Sequence, residues 1–234
     1  MNATEIVLFI VSILLIAGFI VLRTMKTSYL ALLLKTLASL ALVATGVMSI
    51  ALTITTTPLR VAMGLVVIGL LFGLIGDIYL DLKVLQDNDT IYLNTGMASF
   101  TLGHICYFSA FSIYAVQHRI DLLLPILLGV GIALVLAAGT MLSSKKLGLD
   151  FGKFYWQGAG YAFILNFMMV FTLILAIMGG SWIVFVGLLL FLASDMVLSM
   201  QYFGGKIASK PLIAVNHGLY YAAQLMILLF ILLI

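Results

Sequence analysis

The sequence predicts an all-α fold, a polytopic transmembrane helical bundle of about eight helices, and three observations predict it. Hydrophobic residues make up 65% of the chain and charged residues 8%, against roughly 45–50% and about 25% in an ordinary soluble domain. The eleven basic and eight acidic side chains cluster between long apolar runs, which leaves no polar shell for a water-soluble globule. Eight such runs occur, each near the roughly 20 residues that a helix needs to cross a hydrocarbon core of about 30 Å. They lie at about 4–22, 29–52, 61–82, 92–114, 121–141, 154–178, 181–201 and 212–234, joined by short polar connectors, so that 1–234 reads as a single transmembrane domain.

Each run has its own signature. The first carries Glu5 where a secretory signal would be basic and ends without a small-residue cleavage site, so it reads as a span. The second contains Lys35 about two turns in. Its long stem permits snorkelling to the interface, and pairing with Asp77 or with a substrate phosphate is the alternative. In the third, Gly69, Gly73, Asp77 and Asp81 recur every four residues and share one face. The glycines there point to close helix packing. Asp81, one turn nearer the interface, reads as a solvated end residue. The fourth holds Asn94, Thr95, Ser99 and His104; the fifth has no intramembrane charge; the sixth has Gln157, Tyr161 and Asn166; the seventh has Asp195. In the eighth, His217, Tyr220, Tyr221 and Gln224 follow an i, i+3, i+4, i+7 pattern and share a face with Asn216 nearby.

Loop charges orient the bundle. Arg23, Lys26, Lys83, Lys145, Lys146, Lys153, Lys206 and Lys210 fall on the side opposite the N-terminus, and only Arg60 and Arg119 fall on the N-terminal side. The positive-inside rule then places both termini in the exoplasm. Lys35, Asp77, Asp195 and His217 accordingly lie in the cytoplasmic half of the bilayer, with His104 nearer mid-depth, and one pocket open to the cytoplasmic leaflet accounts for them. The same bias explains the net charge of +3 and the pI near 9.0. With no basic cluster longer than Lys145-Lys146, nucleic acid is not an expected partner.

Ionisable groups at membrane depth are costly and mark functional sites by default. A purely structural ion pair is the competing reading of Asp77 and Asp195. His104 and His217 do not read as metal ligands, since there is no HExxH, no second histidine at i+4 and no cysteine pair besides the single Cys106. Asp87-Asn88-Asp89 lacks the glycine and glutamate of an EF-hand and reads as a solvated turn in a connector of about nine residues. Leu74-Ile-Gly-Asp77-Ile-Tyr-Leu80 parallels Leu192-Ala-Ser-Asp195-Met-Val-Leu198, and His104-x-x-Tyr107 parallels His217-x-x-Tyr220. This is the pattern of a four-plus-four parallel internal repeat, which would bring both aspartates to one depth.

At these residues the chain resembles the YhhN-like lysoplasmalogenase family over nearly its full length. The resemblance rests on Lys35, on Gly73-Leu-Ile-Gly76-Asp77 with Leu80, on the Gly96 to Tyr107 stretch with Phe100 and His104, on Ser194-Asp195, and on Tyr220-Tyr221-Ala-Ala-Gln224-Leu225. Where the family has Lys-Pro this chain has Lys35-Thr36, so no proline kink is imposed on the second helix. The resemblance implies a bacterial inner-membrane hydrolase that cleaves the vinyl-ether bond of lysoplasmalogen, a single-chain ether phospholipid. The products are a fatty aldehyde and glycerophosphocholine or glycerophosphoethanolamine, and no metal or cofactor is required. It places Asp77 and Asp195 in catalytic roles comparable with an aspartic-protease pair; the matching motifs of the third and seventh runs lead to the expectation that the two carboxylates face one cavity within direct or one-water reach. Lys35, His104, Tyr107, Asn166, His217, Tyr220, Tyr221 and Gln224 are then the substrate-binding set.

The chemistry accommodates that assignment. A vinyl ether hydrolyses by proton delivery to its terminal carbon, and water traps the resulting oxocarbenium ion as a hemiacetal that collapses to aldehyde and alcohol. One protonated and one ionised carboxyl supply what this needs. A proton-coupled transporter would use the same Asp and His residues, but the exoplasmic half of the bundle offers it almost no polar path. An intramembrane aspartyl protease lacks its Gly-x-Gly-Asp signature here, because Gly73 and Gly76 are three apart.

Overall fold

The computed structural model describes residues 3–52, 56–86, 89–204 and 209–233. Eight helices carry these residues: α1 (Ala3–Met25), α2 (Tyr29–Leu52), α3 (Thr57–Gln86), α4 (Asp89–Gln117), α5 (Leu123–Ser143), α6 (Tyr155–Ile177), α7 (Trp182–Phe203) and α8 (Lys210–Leu233). All eight are long and apolar enough to cross a membrane. The protein is thus an all-α, polytopic membrane protein, as the eight apolar runs predict.

Apolar runs mark only the part of a helix that hydrocarbon must cover, and the helices continue into polar sequence. α3 reaches from Thr57 to Gln86 and α4 starts at Asp89, so the expected nine-residue connector is mostly helix. Of the turn expected at Asp87-Asn88-Asp89, Asp89 opens α4 instead, and Asp87 and Asn88 lie outside the described residues, as does Lys206. α1 continues to Met25 and takes Arg23 into its last turn, where the loop-charge reading has a connector residue. α2 is one helix from Tyr29 to Leu52. The Thr36 hydroxyl donates to the Leu32 carbonyl at 2.9 Å, a back-bond compatible with the unbroken ladder that a proline would interrupt.

The chain forms two compact units, Met1–Gln117 with Ile227–Ile234, and His118–Met226. In the first, consecutive helices α1 to α4 pack on one another, most extensively α3 on α4. Glycines set that contact. A Cβ at Gly103 would come 3.1 Å from the Gly69 carbonyl oxygen, and one at Gly96 would meet Leu80 at 2.7 Å and the Gly76 carbonyl at 3.5 Å. Gly69 thus lies opposite Gly103 and Gly76 opposite Gly96, in antiparallel register. Between these crossings the Ser99 hydroxyl donates to the Phe72 carbonyl at 2.6 Å. The space is taken by rings: Phe100 covers Gly76, and Tyr107 covers Gly69.

In the second unit α5 packs on α6 and α6 on α7. α5 buries one stripe, Pro125, Gly129, Ala133, Ala137 and Met141, at every fourth residue. Phe167 and Phe171 of α6 lie against Gly129. The α5–α6 connector is anchored at Leu149, Phe151 and Phe154, which are buried, while Lys145 to Gly148 are exposed. Its Asp150 amide donates to the Phe203 carbonyl at 2.8 Å, and the Phe151 ring lies 4.3 Å from that of Phe203.

The glycine contact predicts a stability effect. Tyr107 is fully buried, stacked on Phe111 at 6.1 Å and edge-on to His104 at 5.9 Å, so its ring cannot yield to a methyl group at Gly69. Gly69→Ala should destabilise the protein by about 1–3 kcal/mol through overpacking. Gly64→Ala, where an added Cβ meets nothing within 4 Å, should be neutral or stabilising. Thermal unfolding of the two purified variants in one detergent checks this.

Candidate functional site

A cluster of four charges occupies one end of the first unit. Antiparallel connection puts the last turn of α1, the first turns of α2 and the last turns of α3 together, and these carry Arg23, Lys35, Asp77 and Asp81. The Lys35 Nζ lies 3.0 Å from Asp77 Oδ1 and 3.6 Å from Asp81 Oδ1, and an Arg23 terminal nitrogen lies 3.5 Å from Asp81 Oδ1. The Ser39 hydroxyl, one turn beyond Lys35 on α2, donates to Asp77 Oδ2 at 3.1 Å. All four charged residues are buried, Asp77 and Asp81 to 3% exposure, Lys35 to 4% and Arg23 to 9%. The Lys35 ammonium also lies 5.8 Å from the centre of the Phe19 ring, a cation–π distance.

This geometry decides between the two readings of Lys35: it pairs with Asp77 and does not snorkel. It also corrects the reading of Asp81. Solvation was expected from depth alone, but lateral packing places two cations beside it. Arg23 and Ser39 were missed. The signal available in sequence was parity, since α1 and α3 end on the same side of an up-down bundle and each brings charge there.

The remaining candidates of the first unit are His104 and Tyr107, both buried on α4. The His104 Nδ1–H donates to the Phe100 carbonyl at 2.8 Å, so this imidazole is a hydrogen-bonded group of the helix face that packs on α3.

In the second unit the Tyr161 hydroxyl of α6 donates to Asp195 Oδ2 of α7 at 2.5 Å. Asp195 is half-buried, unlike Asp77. Next to it, Asn216 of α8 donates through Nδ2 to the Ser194 carbonyl at 2.8 Å, and the Ser194 hydroxyl donates back to the Asn216 carbonyl at 3.2 Å. Reciprocal bonds of this kind join α7 and α8 where no water competes. Asn166 donates within its own helix, to the Ala162 carbonyl at 2.8 Å. Tyr220 lies edge-on to Phe191 at 5.6 Å and to Tyr221 at 5.1 Å. His217, Tyr220, Tyr221 and Gln224 are all buried.

The two units treat their aspartates alike. Lys35 stands six residues after Tyr29, the first residue of α2, and contacts the aspartate of the next helix; Tyr161 stands six residues after Tyr155, the first residue of α6, and does the same. Each unit thus presents an intramembrane carboxylate oriented by a donor from the preceding helix. The pairing differs in charge: a lysine ammonium holds Asp77, a neutral phenol holds Asp195.

No curated protein and no solved structure matches the chain. The model of the YhhN family matches residues 30–231, a stretch that holds every candidate residue from Lys35 to Gln224, and the chain therefore belongs to the YhhN family.

Proposed function

We propose that the protein is a membrane hydrolase that cleaves the vinyl-ether bond of a lysoplasmalogen to a fatty aldehyde and a glycerophospho-base. The observation that carries this reading is the buried Lys35–Asp77 pair at 3.0 Å in a chain of the YhhN family. A carboxylate held against an ammonium is an anion, and an anion in low dielectric stabilises a developing oxocarbenium ion without further reorganisation. Asp77 then takes the anionic role, and the proton donor is Asp195. The Asp195 carboxyl gives its proton to the terminal vinyl carbon, and the electron pair of the double bond forms the new C–H bond. Water adds to the cationic carbon and returns a proton to Asp195, and the hemiacetal then collapses: its C–O bond to the glycerol breaks, its hydroxyl proton passes to the leaving glycerol oxygen, and the aldehyde C=O forms. Net consumption is one water.

The buried His104, Tyr107, Asn166, His217, Tyr220, Tyr221 and Gln224 fit substrate positioning in this reading. Lys35 is assigned first to Asp77 and contacts substrate phosphate only through that site. The bilayer supplies the lipid, which enters from the cytoplasmic leaflet of a bacterial inner membrane.

The experiment compares three single-chain lipids with a vinyl ether, a saturated ether or an ester at the same position. The purified protein should release product from the vinyl ether alone, because only that bond is activated by protonation at carbon. Release from the ester instead would make the protein a lysophospholipase. The orientation is tested separately: with both termini exoplasmic, a C-terminal reporter active only in the cytoplasm should stay silent, and a strong signal would reverse the leaflet assignment.

A further inference from the structure

We propose that the α5–α6 connector is a docking surface for the headgroup of an anionic glycerophospholipid, built from Lys145, Lys146 and Lys153 with Leu147 and Trp156. The proposal stands apart from the hydrolase reading, since none of these residues belongs to the acid–base set. Depth follows from the helix that leads in. α5 has 21 residues, a length of roughly 31 Å and so about one hydrocarbon core. Lys145 to Leu147, directly after it, therefore stand at phosphate level, and Trp156, in the first turn of α6, returns the chain to the same level. Apolar exposure agrees. Trp156 at 81% and Leu142 at 79% are the most exposed large apolar side chains among the described residues, and Leu147, past the end of α5, is exposed to 67%. A turn that projected into water would leave Leu147 and the indole hydrated. Laid on the bilayer, it puts both at the boundary of headgroups and acyl chains, where tryptophan concentrates.

The connector holds its cations in a fixed frame. The Leu149 amide donates to the Ser144 carbonyl at 2.9 Å and the Gly148 amide to the Lys145 carbonyl at 3.1 Å, the bond pair of a helix end closed by a left-handed residue, here Gly148 at φ 74°. Beyond that turn Leu149 and Phe151 pack with Met141 in a buried cluster. An ordered turn loses less conformational freedom on binding than a loose one. Charge selects the ligand. Between Ser143 and Tyr155 stand three lysines and one aspartate, all exposed, and Asp150 Oδ1 already accepts from the Gly152 amide at 3.0 Å. The connector at the other end of α6, Met178 to Ser181, carries no charge. A zwitterionic lipid brings an ammonium with its phosphate, and the lysines repel it; an anionic headgroup brings the phosphate without that cation. A nucleic acid or an acidic soluble protein would pair the lysines but leave Leu147 and Trp156 in water.

The test uses fluorescence and does not depend on turnover. The chain has two tryptophans, Trp156 and Trp182, so each can report alone. With Trp182→Phe, in phosphatidylcholine bilayers, Trp156 is quenched by brominated phosphatidylglycerol or brominated phosphatidylcholine at equal mole fraction. Phosphatidylglycerol should be preferred by about five-fold or more, what one lysine near an anionic surface supplies. The preference should collapse at about 1 M salt, where the screening length is about 3 Å. Lys145→Gln, Lys146→Gln and Lys153→Gln together should abolish it. With Trp156→Phe instead, Trp182, which opens α7 one crossing away, should show none. Equal quenching of Trp156 by the two lipids would make the indole an interface anchor only and overturn the proposal. A preference that survives the triple substitution would also overturn it, as would an equal preference at Trp182. If the triple variant is not monodisperse, the salt series and the Trp182 control decide, and a preference insensitive to salt would overturn the proposal.

Discussion

Asp77→Asn and Asp195→Asn should each lower kcat for vinyl-ether cleavage by about 10² to 10⁴, with the protein still inserted and monodisperse. Asparagine keeps the size and polar contacts of the side chain but can neither carry the anion nor deliver the proton. The loss belongs in kcat, because both roles act on charge that exists only in the transition state. At position 77 the variant leaves Lys35 beside Asp81, 3.6 Å away, so the lysine keeps one carboxylate partner, and the stability lost with the Asp77 pair is read from thermal unfolding, apart from kcat. At position 195 the Tyr161 hydroxyl retains an acceptor in the amide oxygen. A folded variant with near wild-type kcat would remove that residue from the chemistry, and two such variants would favour the proton-coupled transporter.

Lys35→Met should have the largest effect on stability. It leaves Asp77 and Asp81, both 3% exposed, with Arg23 as the one remaining cation of the cluster. Breaking a buried pair by removing one partner costs about 3–5 kcal/mol, because the surviving charge stays desolvated. Adding Asp81→Asn to Lys35→Met restores one charge of each sign and should recover part of the loss, whereas Asp81→Asn alone should destabilise. The coupling is read from denaturation of the two single variants and the double variant. Additive losses would mean that Lys35 and Asp81 do not share a network. In activity the Lys35 substitution should reduce kcat through Asp77, and a change confined to KM would return Lys35 to the substrate phosphate.

Hydropathy made the fold legible, since only a helix satisfies its own backbone in hydrocarbon. The same physics explains where the helix ends differ. Thr57, Gln86 and Asp89 lie in α3 and α4 although nothing apolar marks them, because a helix that has crossed the bilayer continues on local propensity alone. The candidate residues were legible where a charge inside an apolar run was itself the signal: Lys35, Asp77 and Asp195 stand out there. It was not legible where partner choice depends on lateral packing. Arg23 and Asp81 sit near helix ends, where depth predicts solvation, and only the approach of α1, α2 and α3 turns them into buried groups. Ser39 and Tyr161 are ordinary polar residues in sequence, and become informative only through the carboxylates they meet. Glycine spacing announced close packing on α3, but the facing glycines, Gly96 and Gly103, emerge only from the register of α4.

The most direct test of vinyl-ether hydrolysis is to incubate the purified protein with a lysoplasmalogen in D₂O and analyse the aldehyde by mass spectrometry. Protonation at the terminal vinyl carbon predicts aldehyde and glycerophospho-base in equal amounts, with one deuterium on the carbon next to the carbonyl. Aldehyde without that deuterium would contradict the carbon-protonation step, and no aldehyde from folded protein would contradict the hydrolase itself.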